Sequence, residues 1–324
     1  MTRAPPAGGA PLPRSLTVAS RRSPLARIQA LRVGELLRRS CPGLRVEYLQ
    51  VSTEGDRLLD RPLPEVGGKG LFTAELERLL LAGEADLAVH SLKDLPTATA
   101  EGLDLVAIPE REDCRDVLIV RGGGGLDELG EGARVGTSSV RRQAMLRRRD
   151  PGSRPCSVRG NIHTRLRKLD EGEYDGLILA AAGLLRLGLL ESRLAAGEAT
   201  LLPVSEWLPA PGQGALGIQG RAEDAAVRRA AAAIDDRETR ATTAAERALL
   251  DALGGGCQLP VGARARRSGA SLVLGGIVLS PDGRDATEGE VEGSAEEPEA
   301  VGRALAEELR RLGVGRLLEA CREI

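Results

Sequence analysis

The chain has 324 residues, 42% hydrophobic and 28% charged, which suits a globular protein of two or three domains with real cores. A net charge of −2 gives no global field toward nucleic acid or membrane, and 1% aromatics leaves no stacking platform for single strands. Five scattered cysteines (41, 114, 156, 257 and 321) without a CxxC speak against a disulfide framework or zinc knuckle and for a reducing, cytoplasmic setting.

The start, "MTRAPPAGGAPLPR", lacks an apolar h-region and predicts a disordered leader over 1–13 rather than a secretory signal. No later run is long enough to span a bilayer. "SLTVAS" is β-prone. In the following "RSPLARIQALRVGELLRR", Leu25, Ile28, Leu31 and Leu36 recur at helical spacing, with Ser23 as N-cap and Pro24 at the first helical position. "RVEYLQV" predicts a strand, 53–70 a long loop, "LFTAELERLLLAG" an amphipathic helix, and "ADLAVH" and "LDLVAI" two short strands. A second round begins at "DVLIV" (116–120): strand "ARVGTS", helix "SVRRQAMLRRR", strand "CSVRG", a helix from "NIHTRLRKL", and "DGLILAAAG" running from strand into helix. "PAPGQGALGIQG" (209–220) breaks the pattern and reads as a crossover back to the first unit.

The texture changes near 237. "RETRATTAAERALLDAL" predicts a helix stopped at Gly254–Gly256, then come strands "VGARARR", "SLVLGGIVLS" and "ATEGEVEG", with "SPDG" as a turn, and a closing helix "EPEAVGRALAEELRRLG". The expected fold is α/β: two periplasmic-binding-protein-like α/β domains (14–112 with 210–233, and 113–209) plus a small α+β domain (234–324).

Four features stand out as chemistry. Between Arg141 and Lys168 lie ten basic residues and one acid, Asp150. Arg141, Arg142, Arg159 and Arg165 fall at element ends, where α/β sheets bind ligands, and helix starts after "GTSS" and "GN" add N–H groups that favour anions. They are expected to face a polyanion. "LRRRD" (146–150) reads instead as a solvated helix face. Lysine occurs only at 69, 93 and 168, against 42 arginines, which sets "VGGKGLF" and "HSLKDLP" apart. "VGGKG" lacks the spacing of a nucleotide P-loop. Asp94 follows a strand among cations, where a carboxylate stays ionised and can stabilise a cation or move protons. Cys257 in "GGGCQLPVG" sits on a bare loop, presented rather than packed.

Together the runs "SRRSPLA", "VGGKGLFTAELE", "DLAVHSLKDLP", "GTSSVRRQ", "RGNIHTRLRKLDEGEYDGLILAAAGLLRLG", "LPAPGQGALGI" and "GGGCQLPVG" resemble the porphobilinogen deaminase (hydroxymethylbilane synthase) family, over nearly the whole chain. The resemblance implies condensation of four porphobilinogen units with release of ammonia, on a dipyrromethane cofactor joined by a thioether to Cys257. It implies Asp94 as the catalytic carboxylate, stabilising the azafulvenium-type cation left when ammonia departs. It implies cofactor contacts at Lys93, Ser139, Arg141, Arg142, Arg165 and Gly255, substrate contacts at Arg21, Ser23, Lys69, Phe72, Arg159 and Gln213, no metal, and a monomer. One departure is Glu65, where some relatives carry a second lysine. The rival is a two-lobed anion-binding protein of the periplasmic type, which has no use for the cysteine loop. A cysteine hydrolase would want a histidine near Cys257, and His90 and His163 are both far away in sequence.

Overall fold

The computed structural model describes residues 11–52, 73–255 and 259–322. Cys257, Lys69, Phe72 and Glu65 therefore lie outside the described residues. The elements follow the chain as β1 (Ser15–Arg21), α1 (Pro24–Ser40), β2 (Arg45–Val51), α2 (Ala74–Leu81), β3 (Leu87–Ser91), a 3-10 turn (Leu92–Asp94) and β4 (Leu103–Ala107). Next are β5 (Asp116–Val120), β6 (Arg134–Gly136), α3 (Val140–Arg149), β7 (Arg154–Cys156), α4 (Ile162–Asp170), β8 (Gly176–Ala180), α5 (Ala181–Arg186), α6 (Leu190–Ala195) and β9 (Ala199–Leu201). The chain ends with β10 (Leu216–Arg221), α7 (Ala225–Ala232), α8 (Arg237–Ala252), β11 (Val261–Ser268), β12 (Ser271–Leu279), β13 (Ala286–Ser294), α9 (Pro298–Arg311) and α10 (Gly315–Arg322).

Two compact units result: Met1–Arg111 with Ala215–Arg240, and Glu112–Gly214 with Ala241–Ile324. The first holds a five-stranded sheet in the order β2-β1-β3-β10-β4. Strands β1, β2 and β3 are parallel, and β10 runs antiparallel to both neighbours. Strand β3 is buried along almost all its length, as a parallel strand covered on both faces must be.

One expectation needs correcting in this unit, and one gains a strand. The buried stripe of α1 is Ala26, Ala30, Val33 and Leu37, while Leu31 is 40% exposed. Small residues let the helix lie close to the sheet. At Gly34 an added Cβ would come within 2.9 Å of the Tyr48 ring. The return segment, read as a crossover, contains β10, a fully interior strand. Its glycines hid it. A Cβ at Gly217 would stand 2.8 Å from Leu95 and 3.0 Å from Leu92, so the packing over this strand requires glycine.

The second unit holds a five-stranded sheet in the order β7-β6-β8-β5-β9. It repeats the first plan: β6 is parallel to β7 and β8, and β5 is antiparallel to β8 and β9. The strand expected over "CSVRG" is displaced to Arg154–Cys156, because Gly160 takes φ +104° and residues 157–160 become the loop feeding α4. The same unit carries the antiparallel sheet β11-β12-β13. Ala245 and Leu249 of α8 and Leu305 and Leu309 of α9 pack with Leu272 and Leu274 beneath it. Trp207, Ile277 and Leu279 share a core with Leu118, Met145 and Leu146, which ties this sheet to the five-stranded layer. The helix α10, short and late, was not foreseen in the sequence. Among the described residues no helix is long and apolar enough to cross a membrane.

Candidate active site

In the first unit, β1 ends at Arg21, and Ser23 caps α1 by accepting from the Ala26 N–H at 3.3 Å. Strand β3 delivers the 3-10 turn, which is pinned by the Leu92 N–H donating to the Ala215 carbonyl at 3.0 Å. Leu92 and Leu95 are buried on either side, so the turn throws Asp94 outward and leaves Lys93 half-buried. The sequence-predicted Arg21, Ser23 and Asp94 line one hollow of about 80 Å³, together with Gln29, Thr73, His90 and Ser91. Lys93 stands beside Asp94 in the turn but is not part of that lining.

The sequence did not assign Gln29 or His90. Gln29 is 3% exposed and its Nε2 donates to Ser91 Oγ at 3.0 Å. A glutamine on the buried stripe of a helix was the available signal. His90 is 6% exposed, and its Nε2 has no hydrogen-bond partner among the described residues. Burial pushes its imidazole down to about 4, with Gln219 opposing and the Arg21 charge adding to the fall. It therefore stands neutral beside Asp94 at pH 7.

In the second unit a carboxylate gathers three of the predicted residues. Asp116, fully buried, accepts at Oδ1 from Arg142 Nη2 (2.7 Å) and Gln213 Nε2 (2.7 Å), and at Oδ2 from Arg141 Nη2 (2.7 Å) and Trp207 Nε1 (2.9 Å). Burial alone would raise its pKa, but the charges of Arg141 and Arg142 outweigh that and hold it far below the usual carboxylate range. Arg141 and Arg142 are 3% and 6% exposed, and also donate to the carbonyls of Leu208 (2.8 Å) and Ile178 (3.1 Å). Their guanidinium ends are thus directed inward in the structure. The Nε of each is buried without a hydrogen-bond partner among the described residues.

Ser139 caps α3, accepting from the Arg142 N–H at 3.4 Å, and Asn161 caps α4, accepting from the Thr164 N–H at 3.0 Å. Arg159 is half-buried in the loop before α4, and Arg165 donates from Nε to the Gly160 carbonyl at 2.8 Å. Gly255 closes α8. The Gly254 N–H bonds to the Asp251 carbonyl and the Gly255 N–H to the Leu250 carbonyl, both at 2.9 Å, with φ of +96° and +33°. Only glycine takes such a helix end readily. Glu246, fully buried on α8, accepts from the N–H groups of Gly212 (2.8 Å) and Ala265 (2.9 Å), tying the "PGQG" turn to this part of the unit.

Two half-buried arginines and two capped helix starts suit an acidic oligopyrrole, while Arg141 and Arg142 hold Asp116.

Residues 16–229 match the family model described as "Porphobilinogen deaminase, dipyromethane cofactor binding domain", and 241–311 match "Porphobilinogen deaminase, C-terminal domain". A porphobilinogen deaminase of Chromobacterium violaceum is 48% identical over 305 residues, covering 94% of this chain and 97% of that protein. One of Thiobacillus denitrificans is 47% identical over 306 residues, covering 94% and 98%. Among solved structures, the methionine binding protein MetQ covers 70% of this chain and 92% of that one at 14% identity, with a TM-score of 0.43, which says nothing about function.

Proposed function

Because the chain belongs to the porphobilinogen deaminase family, we propose that it joins four porphobilinogen molecules head to tail, releasing ammonia at each step, to give hydroxymethylbilane. The observation that carries the reading is the 48% identity sustained over 94% of the chain, across both family domains.

The bound dipyrromethane supplies the pyrrole carbon on which the chain is built, and Cys257 is the residue we assign to hold it through a thioether. The protein's own part is electrostatic. Each pyrrole carries an acetate and a propionate, so negative charge accumulates, and Arg159, Arg165, Lys93, Ser139, Arg141 and Arg142 are the residues we assign to it. Arg21, Ser23, Gln213, Lys69 and Phe72 are assigned to the incoming substrate. Asp94 is assigned the reacting centre. Loss of ammonia leaves a cation on the substrate, and a carboxylate held beside it lowers the energy of that species. The same oxygen can take the proton lost when the new bond forms. The position of Asp94 on the rim of a hollow shared with Arg21 and Ser23 supports that role.

The reading also assigns a three-domain chain (14–112 with 210–233, 113–209 and 234–324), for which the three separate sheets speak. It includes a monomer acting in the cytoplasm. The four described cysteines, 41, 114, 156 and 321, are free thiols, in keeping with a reducing compartment.

Intact mass spectrometry of the purified protein tests the attachment. The wild type should carry an oligopyrrole adduct that Cys257→Ser lacks, with turnover lost in the variant. Undiminished turnover by Cys257→Ser with nothing attached would overturn the assignment.

A further inference from the structure

The second unit carries a second basic site, at the opposite end of α3 from Ser139, Arg141 and Arg142. A hollow of about 980 Å³ opens between the C-terminal end of α3, the segment leading into β7, and the turn joining β12 to β13. Arg147, Arg148, Arg154 and Arg284 line it, and Asp282 is the one acid in that lining.

The acid is already engaged. Asp282 accepts from Ser280 Oγ at 2.6 Å and from the Arg284 N–H at 3.1 Å. Arg147 is likewise engaged, donating to the Pro281 carbonyl at 2.7 Å. These contacts build the turn. Gly283, at φ +74°, seats it against α3 so closely that an added Cβ would stand 2.9 Å from the Arg148 nitrogen. The wall of the hollow is therefore fixed.

The guanidinium groups of Arg148 and Arg154 make no hydrogen bond or ion pair with any described residue, and the carboxylate paired with Arg284 among them is Asp282, 3.7 Å from its Nε. Other arginines of the chain are paired with acids, Arg78 with Glu84, Arg167 with Glu171 and Arg228 with Asp104, though exposed Arg27 and Arg303 show no such pair among the described residues. The reading of "LRRRD" as a solvated helix face covers Arg147 and Arg148, whose charges also complement the end of the α3 dipole. It does not cover Arg154 or Arg284, which come from other elements and converge on the same space.

We infer that this hollow binds a compact anion bearing two or more phosphate or carboxylate groups. Four guanidinium groups from three elements can grip such a ligand from several sides, and the volume is that of a small-molecule site. The site is independent of the condensation chemistry, and its residues have no part in the machinery assigned above.

Isothermal titration of the full-length protein at low salt, with sodium pyrophosphate in one arm and citrate in the other, tests it. At least one probe should bind with a dissociation constant below about 1 mM. The double variant Arg148→Ala/Arg154→Ala should weaken that binding at least tenfold, while Arg78→Ala changes nothing. The arm that binds identifies phosphate or carboxylate as the recognised group. Unchanged melting temperature and turnover in the double variant separate loss of the site from loss of fold or of the active site. Binding of neither probe, or binding within twofold of wild type in the double variant, overturns the inference.

Discussion

Replacing Asp116 with asparagine should destabilise the second unit severely, although the two side chains are nearly the same size. Each carboxylate oxygen accepts from two donors, Arg142 and Gln213 on one and Arg141 and Trp207 on the other. An amide presents one oxygen and one NH2. Whichever way it turns, two donors meet a donor. Two buried guanidinium groups also lose the only carboxylate ion-paired with them among the described residues. Removing one partner of a buried ion pair costs about 3–5 kcal/mol, since the other charge stays desolvated and uncompensated. At roughly 2–4 °C per kcal/mol for a domain of this size, the melting temperature should fall by about 6–20 °C. Thermal melts followed by circular dichroism give the number. A second variant keeps the cause in view: Arg142→Met should cost less in the Asp116→Asn background than in the wild type, because it removes a charge that no longer has its counter-ion. A single variant melting within about 2 °C of wild type, or strictly additive costs, would refute the reasoning.

Asp94→Asn should leave the melting temperature and the Cys257 adduct intact, since the side chain is exposed, while turnover drops by about 10²- to 10⁴-fold; near-normal turnover would remove Asp94 from the chemistry. His90 should make stability fall with acid. Its folded-state pKa of about 4 lies below the unfolded value of about 6.5, so the unfolded chain takes the proton first. The stabilisation is complete above pH 6.5 and about 3 kcal/mol is lost by pH 4; His90→Gln should flatten that slope in urea melts run between pH 7 and 4.5, and an unchanged slope would contradict it. Gly302→Ala should lower the melting temperature, because the new Cβ would stand 2.6 Å from Ala248 and 2.8 Å from the Leu249 nitrogen of α8. Overpacking of about 1–3 kcal/mol then outweighs the gain of about 0.4–1 kcal/mol that alanine normally brings; a rise in melting temperature would show the two helices can part freely.

What could be read from the residues depended on whether the signal was local. Strands β1, β3, β5 and β8 announced themselves as short Val, Leu and Ile runs, because strands covered on both faces need apolar side chains throughout. Strand β10 failed that test through its glycines, whose cause lies in Leu92, Leu95 and Val106, remote in the chain. The face of α1 was misread for a related reason: leucine marked the periodicity, but the closest packing belonged to alanine, valine and glycine. In the site, helix caps such as Ser23 and Ser139 were legible because their partners lie three residues away. Asp116 was not, with partners 25, 26, 91 and 97 residues distant among 42 arginines.

Yet "DVLIV" did hold a usable clue. An acid that opens an otherwise apolar interior strand is costly to bury unless cations and donors surround it, so its presence there demands partners. The basic island between Arg141 and Lys168 is where they had to come from. An excess of positive charge beside an internal acid is then divided between holding the fold and meeting a ligand. Exposure, which the sequence does not print, decides the division: Arg141 and Arg142 turn inward to Asp116, Arg159 and Arg165 stay half-buried, and Arg148 and Arg154 face water.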